Sequence, residues 1–259
     1  MGIDRAQEKP PLKTPDELRA RIIAALRPLL TRTIQVWRTP LSTLSPLAGD
    51  LRTLLSSDER DRADKFRFPE HRNAFIAGRA WLRMILGAYC KCLPENLCFT
   101  YGAQGKPAID QAASRASRTV SFNVSHSAKS LQIALAAEGS LGIDVEDLSR
   151  EFDLDGLVAE CLTDVEAQGL SRLSFAQRRN AFLRYWVHKE AFLKCIGTGF
   201  SVSPKEVHVT FNDSGHSEMR CSNPLADAVL FGRSLEAEPG HLAALAAGDS
   251  EYTLQSISL

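Results

Sequence analysis

Apolar residues recur at helical spacing between positions 70 and 90. Phe75, Trp81, Leu82, Ile85, Leu86 and Tyr89 share one side of a 3.6-residue repeat, and Arg72, Arg79 and Arg83 ride on the same segment. The same periodicity predicts a long helix over 175–196 and shorter ones over 154–162 and 163–170. Pro15-Asp16-Glu17 opens a short helix through Leu30, because proline at a first helical position loses no hydrogen bond. The charged run SDERDRADKF is a further helix, for which Ser57 and Arg60 supply only part of a cap. Two-residue alternation and β-branched content predict strands at 33–37 (ended by Pro40), 97–101, 119–124, 131–136, 141–146, 206–211, 228–235 and 241–247. The run 102–107 reads as a turn, and Ser125-His126-Ser127 joins two of the strands.

Composition resets between Gly139 and Gly142, and each side of that point reads strand, helices, then several strands. The expectation is a mixed α/β (α+β) protein of two similar lobes, 31–139 and 140–259. Residues 1–30 form an N-terminal extension, partly disordered or a short helix. With 259 residues, 44% hydrophobic and 24% charged, the chain has material for a substantial core. Lysine plus arginine equals aspartate plus glutamate at 31 each, which argues against a general polyanion binder such as a nucleic-acid protein. Six cysteines lack the paired spacing of a zinc site and are expected as free thiols in a reducing cytosol. No apolar run approaches the roughly 18 residues that span a bilayer, so a cytoplasmic monomer without a membrane partner is expected.

The most informative short run is Gly142-Ile143-Asp144-Val145-Glu146. In a strand, Asp144 and Glu146 point to one face about 7 Å apart, while Ile143 and Val145 point to the other. Two such carboxylates repel unless a cation lies between them, and Mg²⁺ suits carboxylates while leaving positions for phosphate oxygens. Alone, the pair reads better as a solvent-facing strand edge. Trp186, Glu190 and Lys194 stack at i, i+4 and i+8 on the second long helix. Their spacing also fits a plain surface ion pair, unless Glu190 joins the strand carboxylates as a third ligand. Gly105-Lys106-Pro107 offers a phosphate-accessible turn or a simple surface turn. Asn123-Val124-Ser125-His126-Ser127 presents a hydroxyl and an imidazole at a strand end, better suited to phosphate contact than to a nucleophilic triad. Lys65 and the helix arginines are either a solvated face or ligand contacts.

FRFPEHRNAFIAGRAWLR, GKPAI, FNVSHS, GIDVE and WVHKEAFLKCIGTGF, in this order and spacing, closely resemble the 4′-phosphopantetheinyl transferases of the surfactin (Sfp-like) type. The resemblance runs from about Trp37 to Ala247. It implies a pseudo-dimer of two α/β lobes, each a small sheet packed against a long helix, with the active site in the cleft. It implies Mg²⁺ held by Asp144, Glu146 and Glu190, with Mn²⁺ able to substitute, and Lys194 neutralising the diphosphate of coenzyme A. Lys106, with Gly105 and Pro107, would lie by the adenine and ribose. Ser125 and His126, with Asn123 nearby, would meet the 3′-phosphate, and Lys65 and Arg79 would reach the same nucleotide. Val187 departs from the small polar residue usual after the tryptophan, and the 30-residue extension has no counterpart.

The reaction implied is Mg²⁺-dependent transfer of 4′-phosphopantetheine from coenzyme A to a serine of an acyl or peptidyl carrier protein, with Glu190, directly or through a metal-bound water, as base. Two other readings stand beside it: a Mg²⁺-dependent phosphohydrolase of a nucleotide diphosphate, and a catalytically silent nucleotide- or carrier-binding module. Arg172, Arg178, Arg179, Arg184, Lys189 and Lys194 against a single acid, Glu190, suggest a basic surface that steers an acidic carrier.

Overall fold

The computed structural model describes residues 10–259, so the first nine positions of the extension lie outside the described residues. Helix α1 (Pro15–Ala25) is capped by Thr14, whose hydroxyl accepts from the Glu17 amide, and it buries Leu18 and Ile22. It stops at Ala25, short of the expected Leu30. Leu26 turns extended (ψ 136°), and Pro28 disfavours helical backbone at Arg27, so the helix does not run on. Strand β1 (Thr33–Pro40) leads through the helical turns α2 (Leu41–Leu44) and α3 (Ala48–Leu51) to α4 (Ser57–Asp64) and the 22-residue α5 (Pro69–Cys90). The cap of α4 is Ser56, not Ser57: Ser56 and Glu59 form a capping box.

The hairpin β2 (Phe99–Tyr101) and β3 (Pro107–Ile109) and the turn α6 (Gln111–Ser114) precede β4 (Ser121–His126), β5 (Ser130–Ala136) and β6 (Leu141–Asp147). Three helices follow: α7 (Leu154–Cys161), α8 (Asp164–Ser171) and the 22-residue α9 (Phe175–Ile196). The chain closes with β7 (Val207–Phe211), β8 (His216–Cys221), β9 (Val229–Leu235), β10 (His241–Ala247) and β11 (Thr253–Ser258). Besides the short β3, two strands were not predicted. In β8 the alternating buried positions include Ser217, and β11 carries only Leu254 and Ile257 as apolar residues.

The strands form a four-stranded sheet, β11-β1-β5-β4, and a five-stranded sheet, β6-β10-β9-β8-β7. Each lobe thus carries one sheet and one 22-residue helix, a mixed α/β architecture as expected. The last strand does not stay in the second sheet: β11 pairs in parallel with β1, Thr33 opposite Thr253. Helix α5 packs Trp81, Ile85 and Tyr89 against Trp37, Phe122, Ile133 and Leu135 of the first sheet. Helix α9 buries Val187, Ala191 and Phe192 with Val207, Met219 and Ala244 of the second. A third cluster joins Ile34, Val36 and Ala134 to Leu141, Ile143 and Leu245, so the two lobes share apolar core rather than meeting through water. Each large aliphatic side chain buried there contributes on the order of 2 kcal/mol.

The two sheets meet edge to edge at β4 and β6. The outward amides of β6 find side chains rather than a strand: Ile143 N donates to Asn123 Oδ1 (2.8 Å) and Val145 N to Ser125 Oγ (3.2 Å). An edge strand would otherwise present unpaired amides. Helix α9 crosses β6 at Gly142, where a Cβ would stand 2.0 Å from the Ala191 carbonyl oxygen and 2.5 Å from Cys195 N. Glycine there is a packing requirement, and it sets the height of α9 above the acidic strand.

Candidate active site

Asp144 and Glu146 share the face of β6 that α9 covers, as strand alternation requires. Trp186, Glu190 and Lys194 face them from α9. Trp186 Nε1 donates to Glu146 Oε1 (3.0 Å), and Lys194 Nζ stands 2.5 Å from Asp144 Oδ1. Ser125, from β4, ties both partners: its hydroxyl donates to Asp144 Oδ1 (3.0 Å) and accepts from Lys194 Nζ (3.1 Å). Two lobes and three elements therefore converge on one buried carboxylate.

The three carboxylates do not form a finished cage. Among the described residues no group of three or more His, Cys, Asp or Glu side chains is already arranged to hold a metal ion. The physical reason lies in the partners. Lys194 supplies the positive charge beside Asp144, while Glu146 leans to Trp186 and, at 3.6 Å, to Arg150.

The donors nevertheless fit a hard cation. Asp144 Oδ2 and Glu190 Oε1 are both buried with no hydrogen-bond partner, a costly arrangement for carboxylate oxygens. Burial, then the neighbouring Asp144 and Glu146 charges, push Glu190 up to about 7; Lys194 only partly opposes them. Burial likewise raises Glu146 against the Trp186 hydrogen bond. An oxygen-preferring divalent cation would relieve all of this at once.

The raised Glu190 has a stability consequence. Its native affinity for a proton exceeds that of the unfolded chain, so the native state binds more protons between pH 4.5 and about 7, and stability falls as pH rises through that window. Glu190→Gln should flatten the slope and stabilise the metal-free protein at pH 8 by on the order of 3 kcal/mol. Urea denaturation at pH 5 and pH 8 reads it, and an unchanged slope in the variant would contradict the assignment.

The nucleotide-side residues of the sequence reading divide. His126 is open to solvent at the end of β4; the protein around it, then the Lys194 ammonium, push its imidazole below the usual value. Arg62 of α4 acts in the same direction, and it was passed over because α4 read only as a charged helix. Lys65, at the end of α4, is exposed and faces solvent. Arg79 is not free for a ligand: it pairs with Glu59, beside Arg83, whose guanidinium also donates to the Pro94 and Leu97 carbonyls (both 2.9 Å). Asn123 and Ser125 are buried in the β4–β6 seam described above.

Lys106 is also committed. From the turn after Gly105 (φ +78°), its ammonium donates to the Leu141 carbonyl (3.0 Å) and to the Cys195 carbonyl in the last turn of α9 (2.8 Å). Pro107 follows as the first residue of β3. Beside it Gln104 Nε2 donates to Ser201 Oγ (2.8 Å), so the hairpin tip of the first lobe clasps the helix end of the second. Lys106→Met leaves two carbonyls without their donor and should cost about 2 kcal/mol of stability. A melting temperature within a degree of wild type would show that the clasp carries no energy.

The basic stretch ahead of Glu190 is not one surface. Lys189 is wholly buried, 2.7 Å from Glu166 and 3.0 Å from the Pro204 carbonyl. Glu166 in turn caps α8 and accepts from Val209 N, so Lys189 is a structural tie. Arg178 pairs with Asp155, Arg179 donates to the Arg150 carbonyl, and Arg184 lies 3.9 Å over the Phe211 ring.

The chain matches the family model described as 4′-phosphopantetheinyl transferase superfamily over residues 140–246, and that described as 4′-phosphopantetheinyl transferase, N-terminal, over 45–139. It is 38% identical to the 4′-phosphopantetheinyl transferase HetI of Nostoc sp., over 67% of this chain and 72% of that protein. The chain belongs to the 4′-phosphopantetheinyl transferase superfamily. The putative 4′-phosphopantetheinyl transferase slr0495 of Synechocystis sp. is 36% identical over 64% of this chain and 66% of that protein. The transferase psf-1 of Bacillus pumilus is 26% identical over 72% and 76%. In this phosphopantetheinyl transferase chain, Asp144, Glu146, Glu190 and Lys194 all fall in the span matched to the superfamily model, whereas Lys65, Arg79, Lys106, Asn123, Ser125 and His126 fall in the N-terminal one. Ser125 of the N-terminal span thus meets Asp144 and Lys194 of the other in one cleft. All six cysteines are free thiols, and among the described residues no helix is long and apolar enough to cross a membrane.

Proposed function

We propose that the chain transfers 4′-phosphopantetheine from coenzyme A to a serine hydroxyl of an apo acyl or peptidyl carrier protein, with Mg²⁺, releasing adenosine 3′,5′-bisphosphate. Carrying this reading is the pairing of two unpartnered buried carboxylate oxygens, on Asp144 and Glu190, with the Lys194 ammonium in one cleft. When bound, the cation supplies charge neutralisation for the diphosphate.

Asp144, Glu146 and Glu190 would hold that cation. Lys194 is a fixed positive charge whose position is set by Ser125 and Asp144, and it meets a phosphoryl oxygen without moving far. His126, with Arg62 nearby, faces the 3′-phosphate end of the donor, and exposed Lys65 reaches toward the same nucleotide. Gly105, Lys106 and Pro107 bring hairpin backbone close to the adenine. Glu190, directly or through a metal-bound water, would accept the carrier serine's proton. The serine oxygen bonds to the β-phosphorus, the phosphorus–oxygen bond to the nucleotide phosphate breaks, and the bisphosphate departs with that electron pair. Positioning and charge neutralisation supply most of the acceleration in such a displacement. The chain is read as a monomer acting in the cytoplasm.

The test is intact-mass analysis of an apo carrier protein incubated with the chain, coenzyme A and Mg²⁺. A gain of one phosphopantetheine, lost on chelation and restored by Mg²⁺ or Mn²⁺, is the expected result. Breakdown of coenzyme A without any carrier would favour phosphohydrolase chemistry instead.

His126→Ala should raise the KM for coenzyme A about tenfold with a smaller change in kcat, because the imidazole lies away from the bond that breaks. A donor lacking the 3′-phosphate should then bind wild type and variant alike. If the variant still distinguishes the two donors as wild type does, His126 does not read that phosphate.

A further inference from the structure

A cavity of about 540 Å³ lies between α1 and the C-terminal end of α5, and it shares no residue with the carboxylate cleft. Its apolar lining includes Ile23, Met84 and Leu93, with Ile23 57% and Leu93 50% exposed, so the cavity mouth is itself apolar. Around them stand Arg19, Lys91 and Arg115, and no acidic residue lines the cavity. None of the three cationic side chains has an ion-pair, hydrogen-bond or ring partner among the described residues. Lys91 and Arg115 are also held in left-handed backbone (φ +54° and +49°), which costs a non-glycine residue energy. Glycine would be the cheaper choice at both positions, yet both carry a cation toward this cavity.

An apolar floor ringed by three unpaired cations fits a ligand with an alkyl body and one anionic end. The volume lies in the range of small-molecule sites, and the concave shape suits a flexible chain better than a rigid partner helix. We propose that this cavity binds an amphipathic carboxylate of medium chain length, its alkyl chain against Met84 and Leu93 and its carboxylate among Arg19, Lys91 and Arg115. One wall is α1, upstream of the matched family spans, while the opposite wall belongs to the N-terminal span, and no residue of the carboxylate cleft lines it.

The probe is sodium dodecanoate below its micelle concentration, titrated calorimetrically into the full chain. Saturable 1:1 binding in the range of roughly 1–100 µM is expected, with no saturation by acetate or by dodecyltrimethylammonium. Joint Arg19→Glu and Arg115→Glu substitution should weaken binding roughly tenfold or more, with carrier modification unchanged. Lys91→Gly should weaken binding while raising the melting temperature, because it relaxes the left-handed backbone. Absence of saturation up to about 1 mM, equal affinity in the charge-reversed variant, or equal binding of the ammonium amphiphile would each overturn the proposal. So would binding of an acidic amphipathic peptide without any response to dodecanoate, which would make the groove a protein-docking surface. Retained transfer in the variants separates failure of this site from failure of the transferase reading.

Discussion

Asp144→Ala should abolish carrier modification, by roughly a thousandfold or more in kcat/KM, while leaving the metal-free fold about as stable as before. Both halves follow from its neighbours. Asp144 anchors Lys194 and Ser125, and its second oxygen is buried without a partner. It also raises the proton affinity of Glu146 and Glu190, so three acids crowd one strand–helix crossing with a single ammonium beside them. Removing one acid loses an ion pair but relieves two repulsions, and the two effects oppose each other. Thermal melts should show the difference when metal is added. Mg²⁺ should raise the wild-type melting temperature by mass action and leave the variant's unmoved. Near wild-type transfer by Asp144→Ala at saturating Mg²⁺ would sink the assignment.

Gly142→Ala should be the most damaging small substitution in the chain. The added methyl would meet the Ala191 carbonyl oxygen at 2.0 Å and Cys195 N at 2.5 Å, both backbone atoms that no rotamer change can move. Relief requires α9 to lift from β6, which also pulls Glu190 and Lys194 from Asp144. Overpacking of this kind costs about 3 kcal/mol or more, a fall of roughly 10 °C in melting temperature at this chain length. Gly169→Ala is the control. Nothing lies within 4 Å of its would-be methyl, it sits inside α8, and alanine there should stabilise slightly. Scanning calorimetry of the pair decides. Equal melting temperatures would mean that the α9–β6 contact is more compliant than its geometry implies.

Much of the site was legible because two local periodicities govern it. Strand alternation put Asp144 and Glu146 on one face, and helical spacing put Trp186, Glu190 and Lys194 on another. The structure brings those faces together. Contacts between distant segments were not legible. Lys106 read as a ligand contact, yet it clasps carbonyls of β6 and α9, 35 and 89 residues away. Lys189 read as surface charge because a lysine between His188 and Glu190 carries no local sign of burial. Its partner Glu166 lies in another helix and is known only once the two pack. Arg79 was misread for the same reason, since Glu59 faces it from α4. The cap at Ser56 was within reach, because Ser56 and Glu59 have capping-box spacing, but the neighbouring Ser57 drew attention one residue late. β11 failed by composition: a strand with two apolar residues gives little periodic signal, and its place beside β1 depends on a partner 220 residues upstream.

That last pairing has a consequence for synthesis. The first sheet has its order β11-β1-β5-β4, so β1 gains its second neighbour only when Thr253–Ser258 have been made. At ribosomal rates the interval between Thr33 and Thr253 lasts on the order of 10 to 40 s. Once β5 has been made and has paired with β1, the other row of β1 amides and carbonyls still stands open in the nascent chain until β11 follows. The first sheet is therefore begun at Thr33 and completed only by a segment made some 220 residues later.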